Sequence, residues 1–406
     1  MPSIDVTLEL VTPAYAGGAS PEQCDGLRPP VLKALLRFWW RAMHPELPPD
    51  ELFMAEAGLF GSTGDGQRLR VIPLGDPTAM ECQRPGQSLP GDTAFLSYGV
   101  SEWAREARGF RTNRPRVATG QTIRFRLAWG NKIPCNAEEE FVKTLWLLST
   151  FSGWGTKARR GWGSIHVDCP CFGGAPYTNL KDPHGAASVD DLRNRLQAGL
   201  TAILGPRAGI SLQPGSNEAE HTAFSPDTRL FIGPGCQNAE DALDKLGQVY
   251  NRYRRALGAG RNHAPGAVGP DHQKRSNWCA KPPVKTDVAP LGSAFGLPHL
   301  ARFTKGPRVD VGVGAHLTGR RASPVFFKVL RCGARFVPAV LWLPARFLPV
   351  GTPVCVRAPA GESEVRDPGV TGIAQFFDGN PELMCYARGG GAWLGLRGYG
   401  WTEVNW

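Results

Sequence analysis

Residues 122–167 read TIRFRLAWGNKIPCNAEEEFVKTLWLLSTFSGWGTKARRGWGSIHV, and three kinds of local order follow one another along them. From Thr122 to Ala128 the apolar Ile123, Phe125 and Leu127 alternate with polar neighbours, the period of a half-buried strand. Glu138 to Thr150 predicts an amphipathic helix, with Glu138, Glu139 and Glu140 favourably placed at its N-terminus. Gly153, Gly155, Gly161 and Gly163 then interrupt the helix, and Gly163 to Val167 reads as a second strand. A Walker loop follows a strand and opens a helix; this loop follows a helix and opens a strand, so that reading fails.

Upstream, Ile4 to Leu10 alternates strictly with period two and predicts another strand. Pro29 to Met43 has helical spacing, with Leu32, Leu36, Trp39 and Met43 on one face and Pro29 and Pro30 suited to a first turn. Arg68 to Ile72 supplies the missing strand. The order is β-α-β-β-α-β, the ferredoxin-like arrangement also used by RNA-recognition modules. It occupies residues 1–172, with a long insertion at 73–120. Residues 173–226 read as a linker with a short helix near Val189 to Leu204. Residues 227–406 repeat the layout irregularly. A helix over Ala239–Leu257, strands over Val325–Leu330 and Arg335–Leu343, a helix over Pro368–Phe377 and a strand over Tyr399–Val404 are expected, with 259–290 mobile. The expected class is α+β: two ferredoxin-like (RRM-like, βαββαβ) domains with glycine-rich loops and long insertions.

The chain has 406 residues, of which 42% are hydrophobic, enough for two or three packed domains. No stretch of about 18 uninterrupted apolar residues suggests a membrane span, and the opening MPSIDVTLEL lacks the form of a secretory signal. Ten scattered cysteines suit reduced thiols and a cytoplasmic location. The net charge of +10 is unevenly spread. Between Ser101 and His166 twelve basic side chains face five acidic ones, and between Leu300 and Arg346 nine face one. Two basic zones on a mildly acidic remainder fit a polyanion track, whose counterions are released when cations neutralise its phosphates.

Three constellations carry the candidate chemistry. On the first helix Lys33, Arg37 and Arg41 fall at i, i+4 and i+8 with Trp40 beside them, a cation ladder next to an indole that suits phosphates and an unstacked base. In the glycine-rich loop Lys157, Arg159 and Arg160 form the tip, with Trp154 and Trp162 as stacking platforms or, alternatively, as plugs of the core. Near the C-terminus Arg388, Arg397, Trp393, Tyr399 and Trp401 interleave with glycines in the same recipe. The run Arg105, Arg108, Arg111, Arg114 and Arg116 is either an arm that closes on RNA or a neighbour, or a solvated loop. Cys169 and Cys171 read as free thiols, and neither a metal site nor a cofactor is expected.

These motifs resemble the RAMP proteins of CRISPR systems, and more narrowly the first-subunit family of type III-B Cmr effector complexes. The similarity is carried by TPAYAGGA (12–19), LRPPVLKALLRFWWRA (27–42), LFGS (59–62), FSGWGTKARRGWGS (151–164), FGLPH (295–299), RRASPVFFKV (320–329) and FLP (347–349). The resemblance implies a non-catalytic subunit that binds the 3′ region of the guide RNA and helps capture target RNA in antiviral defence. Guide RNA, target RNA and other Cmr subunits would be its partners. Arg28, Lys33, Arg37, Trp40, Arg41, Lys157, Arg159, Arg160, Arg320 and Arg321 become the RNA-contacting candidates, although Arg320 and Arg321 equally suit a structural cap. Two alternatives stand beside it. One is a metal-independent RAMP endoribonuclease processing guide-RNA precursors, for which His44 is the candidate acid or base. The other is a structural subunit whose basic faces bind acidic neighbours.

Overall fold

The computed structural model describes residues 1–17, 24, 26–77, 79–205, 221–258, 269–302, 308–384 and 391–406. Strands β1 (Ser3–Leu10), β2 (Leu69–Pro73), β3 (Thr122–Trp129) and β4 (Ile165–Asp168) form one sheet in the order β4-β1-β3-β2. Every pairing is antiparallel, with Val6 opposite Phe125 and Leu8 opposite Val167. The alternation seen in the sequence puts Ile4, Val6, Leu8 and Leu10 of β1 and Ile123, Phe125 and Leu127 of β3 into one core. Helices α1 (Pro29–Ala42) and α3 (Ala137–Phe151) pack on each other and share that core. Between α1 and β2 lies α2 (Pro49–Phe60), a helix absent from the sequence reading.

A second sheet joins β5 (Arg229–Ile232), β6 (Val325–Cys332), β7 (Arg335–Trp342) and β8 (Thr402–Val404) in the order β6-β7-β5-β8. Numbered from its own first strand, this repeats the order of the first sheet. Strand β5 escaped the sequence reading, because four residues, RLFI, show no alternation.

By packing, the described residues fall into two units. One comprises Met1–Gln248, Phe326–Leu343 and Glu403–Trp406, and the other Val249–Val325 and Pro344–Thr402. Within the first unit Lys328 of β6 is buried and donates to the carbonyls of Ser152 (2.5 Å) and Ile165 (2.6 Å). The second unit has a sheet of its own in the order His299–Arg302, Arg308–Val313, Val354–Ala358, Gly361–Val365. Its core gathers Trp278, Leu297, Val309, Val311, Phe347 and Val356.

Three expectations need correction, and the 73–120 insertion gains detail. The 173–226 segment is more than a linker: α4 (Val189–Leu204) buries Leu192, Leu196, Leu200 and Ile203 in the main core. Gly199 of α4 sits so close to Trp146 that a Cβ there would meet the indole at 2.2 Å. Of the segment expected to be mobile, 259–268 lies outside the described residues, whereas Pro270–Ala280 is a helix with Trp278 in a core. The 73–120 insertion folds into a small sheet in the order Ser88–Leu89, Gly109–Thr112, Ser101–Ala104. Finally, Cys24 and Cys82 form a disulfide, so not every thiol is reduced; Cys169 and Cys171 are free.

Candidate nucleic-acid interface

The glycine-rich loop folds onto its own chain. Gly163 has φ +64°, and a Cβ there would lie 1.9 Å from the Trp154 carbonyl oxygen. Trp154 N–H donates to the Gly163 carbonyl and Gly163 N–H to that of Pro13, both at 2.8 Å. Thr12 Oγ1–H donates to the Gly161 carbonyl at 2.7 Å. Gly163 therefore serves close packing of the loop on neighbouring backbone. Trp154 is buried and Trp162 is only 1% exposed, its ring edge-on to Tyr15 at 4.9 Å. Neither indole offers a face to a base; both plug the core.

The cations of this loop do collect at its tip. Burial lowers the proton affinity of the Lys157 ammonium, and the charges of Arg160 and Arg114 lower it further. Arg159 lies deeper, and burial, then the Arg160 charge, bring its guanidinium down to about 10. It packs 4.5 Å over Phe326 and 5.1 Å over Phe38, and Arg160 packs 5.5 Å over Phe327. Lys157, Arg160 and Arg114 thus form one positive cluster, of which Arg114 belongs to the insertion.

A neighbouring turn completes the surface. The Lys157 ammonium lies 3.9 Å from where a Cβ on Gly99 would stand, and Gly99, with φ +86°, follows Tyr98. Tyr98 is 77% exposed and Trp103, on the strand after the turn, 54% exposed. Sequence reasoning looked for platforms among the loop tryptophans and missed these two. The usable signal was their position immediately before the arginine run, in the stretch YGVSEWAREARGFR.

On α1 the cations share a face as expected, but α2 and nearby carbonyls already engage them. Lys33 donates to the Leu69 carbonyl at 2.9 Å. Arg37 donates to Glu56 at 3.0 Å and to the Gly61 carbonyl, and Arg41 to Glu56 at 2.7 Å. Glu56 is buried. Trp40, expected beside the row as an exposed indole, is also buried and donates through Nε1 to Glu140 at 2.8 Å. Arg28, just before the helix, is exposed. His44 is held on both ring nitrogens, Nδ1 at 3.0 Å from Glu46 and Nε2 at 3.0 Å from Glu140.

In the second unit Arg320 is exposed. Arg321 is a clamp, donating to the carbonyls of Phe347 (2.5 Å) and Ala294 (2.9 Å), with its guanidinium 4.2 Å over the Phe347 ring. Of the C-terminal glycine stretch, Arg388 lies outside the described residues and Arg397 is exposed on a short turn. Trp393 and Trp401 are buried, and Trp393 Nε1 donates to the Gln375 carbonyl at 2.8 Å. As in the first loop, the tryptophans belong to the core.

Among the described residues no helix is long and apolar enough to cross a membrane. Residues 7–166 match the sequence family described as the RAMP superfamily. No curated protein matches the chain. Among solved structures it is similar to the apo crystal structure of Cmr1 from Pyrococcus furiosus. The TM-score is 0.51 at 17% identity, over 86% of this chain and 90% of that one. It also aligns with a chain in the cryo-EM structure of the type III-B Cmr-beta complex bound to cognate target RNA. There the TM-score is 0.48 at 12% identity, over 84% and 94% of the two chains.

Proposed function

Because residues 7–166 match the RAMP superfamily, we propose that the protein is a non-catalytic RNA-binding subunit of a type III-B CRISPR (Cmr) effector complex. It would hold the 3′ region of a guide RNA and help capture target RNA in antiviral defence, alongside other Cmr subunits. The fold shared with Cmr1 of Pyrococcus furiosus supports this reading. So does the strand order shared by the sheets β4-β1-β3-β2 and β6-β7-β5-β8, which suits a pair of ferredoxin-like halves.

The observation that carries the proposal is the cluster of Lys157, Arg160 and Arg114. Lys157 is partly withdrawn from water, and the charges acting on it are those of Arg160 and Arg114. Cations gathered in this way repel, and a phosphate placed among them relieves the repulsion while releasing counterions. The α1 row is a lesser candidate, because a phosphate there competes with Glu56. The non-catalytic reading is supported by His44, whose nitrogens are both engaged by the protein's own carboxylates.

The test is equilibrium binding of a labelled single-stranded RNA across a salt series. Lys157→Glu with Arg114→Glu is expected to weaken binding by about tenfold or more and to flatten the salt dependence. Unchanged affinity would overturn the assignment. The same RNA should survive incubation with the protein in EDTA. Defined cleavage that His44→Ala abolishes would establish the nuclease reading instead.

A further inference from the structure

We propose that Tyr98 and Trp103 form a base-stacking platform, and that through it the protein prefers single-stranded to double-stranded RNA. This rests on the RNA-binding reading above and deepens it, since the cluster of Lys157, Arg160 and Arg114 accounts for phosphates but says nothing about bases.

Three observations converge. First, the buried rings of Trp40, Trp154, Trp162, Trp393 and Trp401 leave little aromatic surface near the expected cation sites, whereas Tyr98 and Trp103 are 77% and 54% exposed. Leaving two large rings in water forgoes the gain that burial would bring. Second, Tyr98 is bonded directly to Gly99, the residue beside which the Lys157 ammonium stands at 3.9 Å from a virtual Cβ. Tyr98 and the Lys157 ammonium therefore stand side by side. Third, Trp103 sits in a hairpin ladder directly opposite Phe110, whose ring meets it edge-on at 5.2 Å. That contact holds the indole in place. The same hairpin exposes Arg105, Arg108 and Arg111.

The chemistry selects the occupant. A purely apolar partner would bury rings but strand the cations, and an acidic protein surface would satisfy the cations but not the rings. A ribose-phosphate strand with unpaired bases offers anion and π-face in alternation, and a tyrosine or tryptophan accepts any base. In a duplex those faces are already stacked on one another, so only the phosphates remain available.

The test compares a labelled single strand with a duplex of equal length. Tyr98→Leu with Trp103→Leu should weaken single-strand binding about tenfold, leave duplex binding unaltered, and keep the slope of log affinity against log salt. Tyr98→Phe with Trp103→Phe should retain most of the affinity. A strand carrying abasic sites should bind the wild-type protein no better than the intact strand binds the leucine variant. Wild-type affinity in the leucine variant would overturn the platform while leaving the phosphate cluster standing, provided Lys157→Glu with Arg114→Glu still weakens binding. Equal losses on strand and duplex would also overturn it, because the rings would then merely hold the cations in position.

Discussion

Glu56 decides what the basic face of α1 can do. Its carboxylate is buried and accepts from both Arg37 and Arg41, so two cations that look free in sequence are half neutralised in the fold. Arg37→Ala removes one donor from a buried carboxylate. Its expected cost is roughly 1–3 kcal/mol of unfolding free energy, the penalty for a buried group left under-satisfied, read as a lower urea midpoint. A wild-type midpoint would show that Arg41 alone suffices. This residue-level detail was illegible beforehand, since nothing in PDELFMAEAGLF marks Glu56, and not Glu51, as the one turned inward. The tryptophans misled for a related reason. Spacing puts Trp40 next to the cation row, but Glu140, a hundred residues away in sequence, gives its indole N–H a partner and draws the ring inside.

At the scale of elements, the strands and helices with clear periodicity were legible: β1, β3, α1 and α3 stand close to their expected limits. The segments that escaped lack a periodic signal. Helix α2 leaves Phe53 and Met54 exposed while burying Glu56, the reverse of an amphipathic pattern. Pro270–Ala280 is mostly polar, with Trp278 as its apolar anchor. The glycine-rich loop stands where expected, and within it Gly153, Gly155 and Gly163 answer to neighbouring carbonyls, whereas Gly161 makes room for Leu243 and Leu246. Gly163→Ala and Gly120→Ala separate close packing from backbone conformation. Both positions have positive φ, but a Cβ meets the Trp154 carbonyl oxygen at 1.9 Å in the first and nothing within 4 Å in the second. Gly120→Ala should cost about 1–2 kcal/mol from backbone strain alone. Gly163→Ala should cost clearly more, with the difference measured by thermal unfolding. Equal costs would mean that the loop yields easily.

For the molecule as a whole, acidity should tune stability through a pair of stacked histidines in the first unit. His166 and His184 lie 4.5 Å apart, with Glu9, Asp182, Arg331 and Lys328 around them. Burial pulls His166 down, but a hydrogen bond from its Nε2 to Asp182 at 3.0 Å and the nearby Glu9 outweigh it and raise the imidazole to about 9. His184 is held well below 6.5 by burial, then by the charges of His166 and Lys328. Its Nε2–H donates to the Ser149 carbonyl, and its Nδ1 accepts from Arg331 N–H, as a neutral ring does. The signs are opposite. His166 contributes stability that is complete below the unfolded histidine value near 6.5 and is lost as pH rises towards 9. His184 costs stability once pH falls below about 6.5, where the unfolded chain takes up the proton. The contribution of this histidine pair to the melting temperature should therefore peak near that pH and decline on both sides. In His166→Gln the alkaline decline should flatten, and an unchanged profile would count against the network.

The path of the chain through the first unit bears on how the protein is made. That unit takes in Met1–Gln248, gains Phe326–Leu343 only later, and is finished by Glu403–Trp406, where Glu403 meets the Arg229 guanidinium at 2.8 Å. During translation its leading portion must wait, with the edge of β5 uncovered, until residues 402–404 have been made. A ribosome that stalls or terminates early would release an incomplete sheet, the kind of intermediate that chaperones recognise.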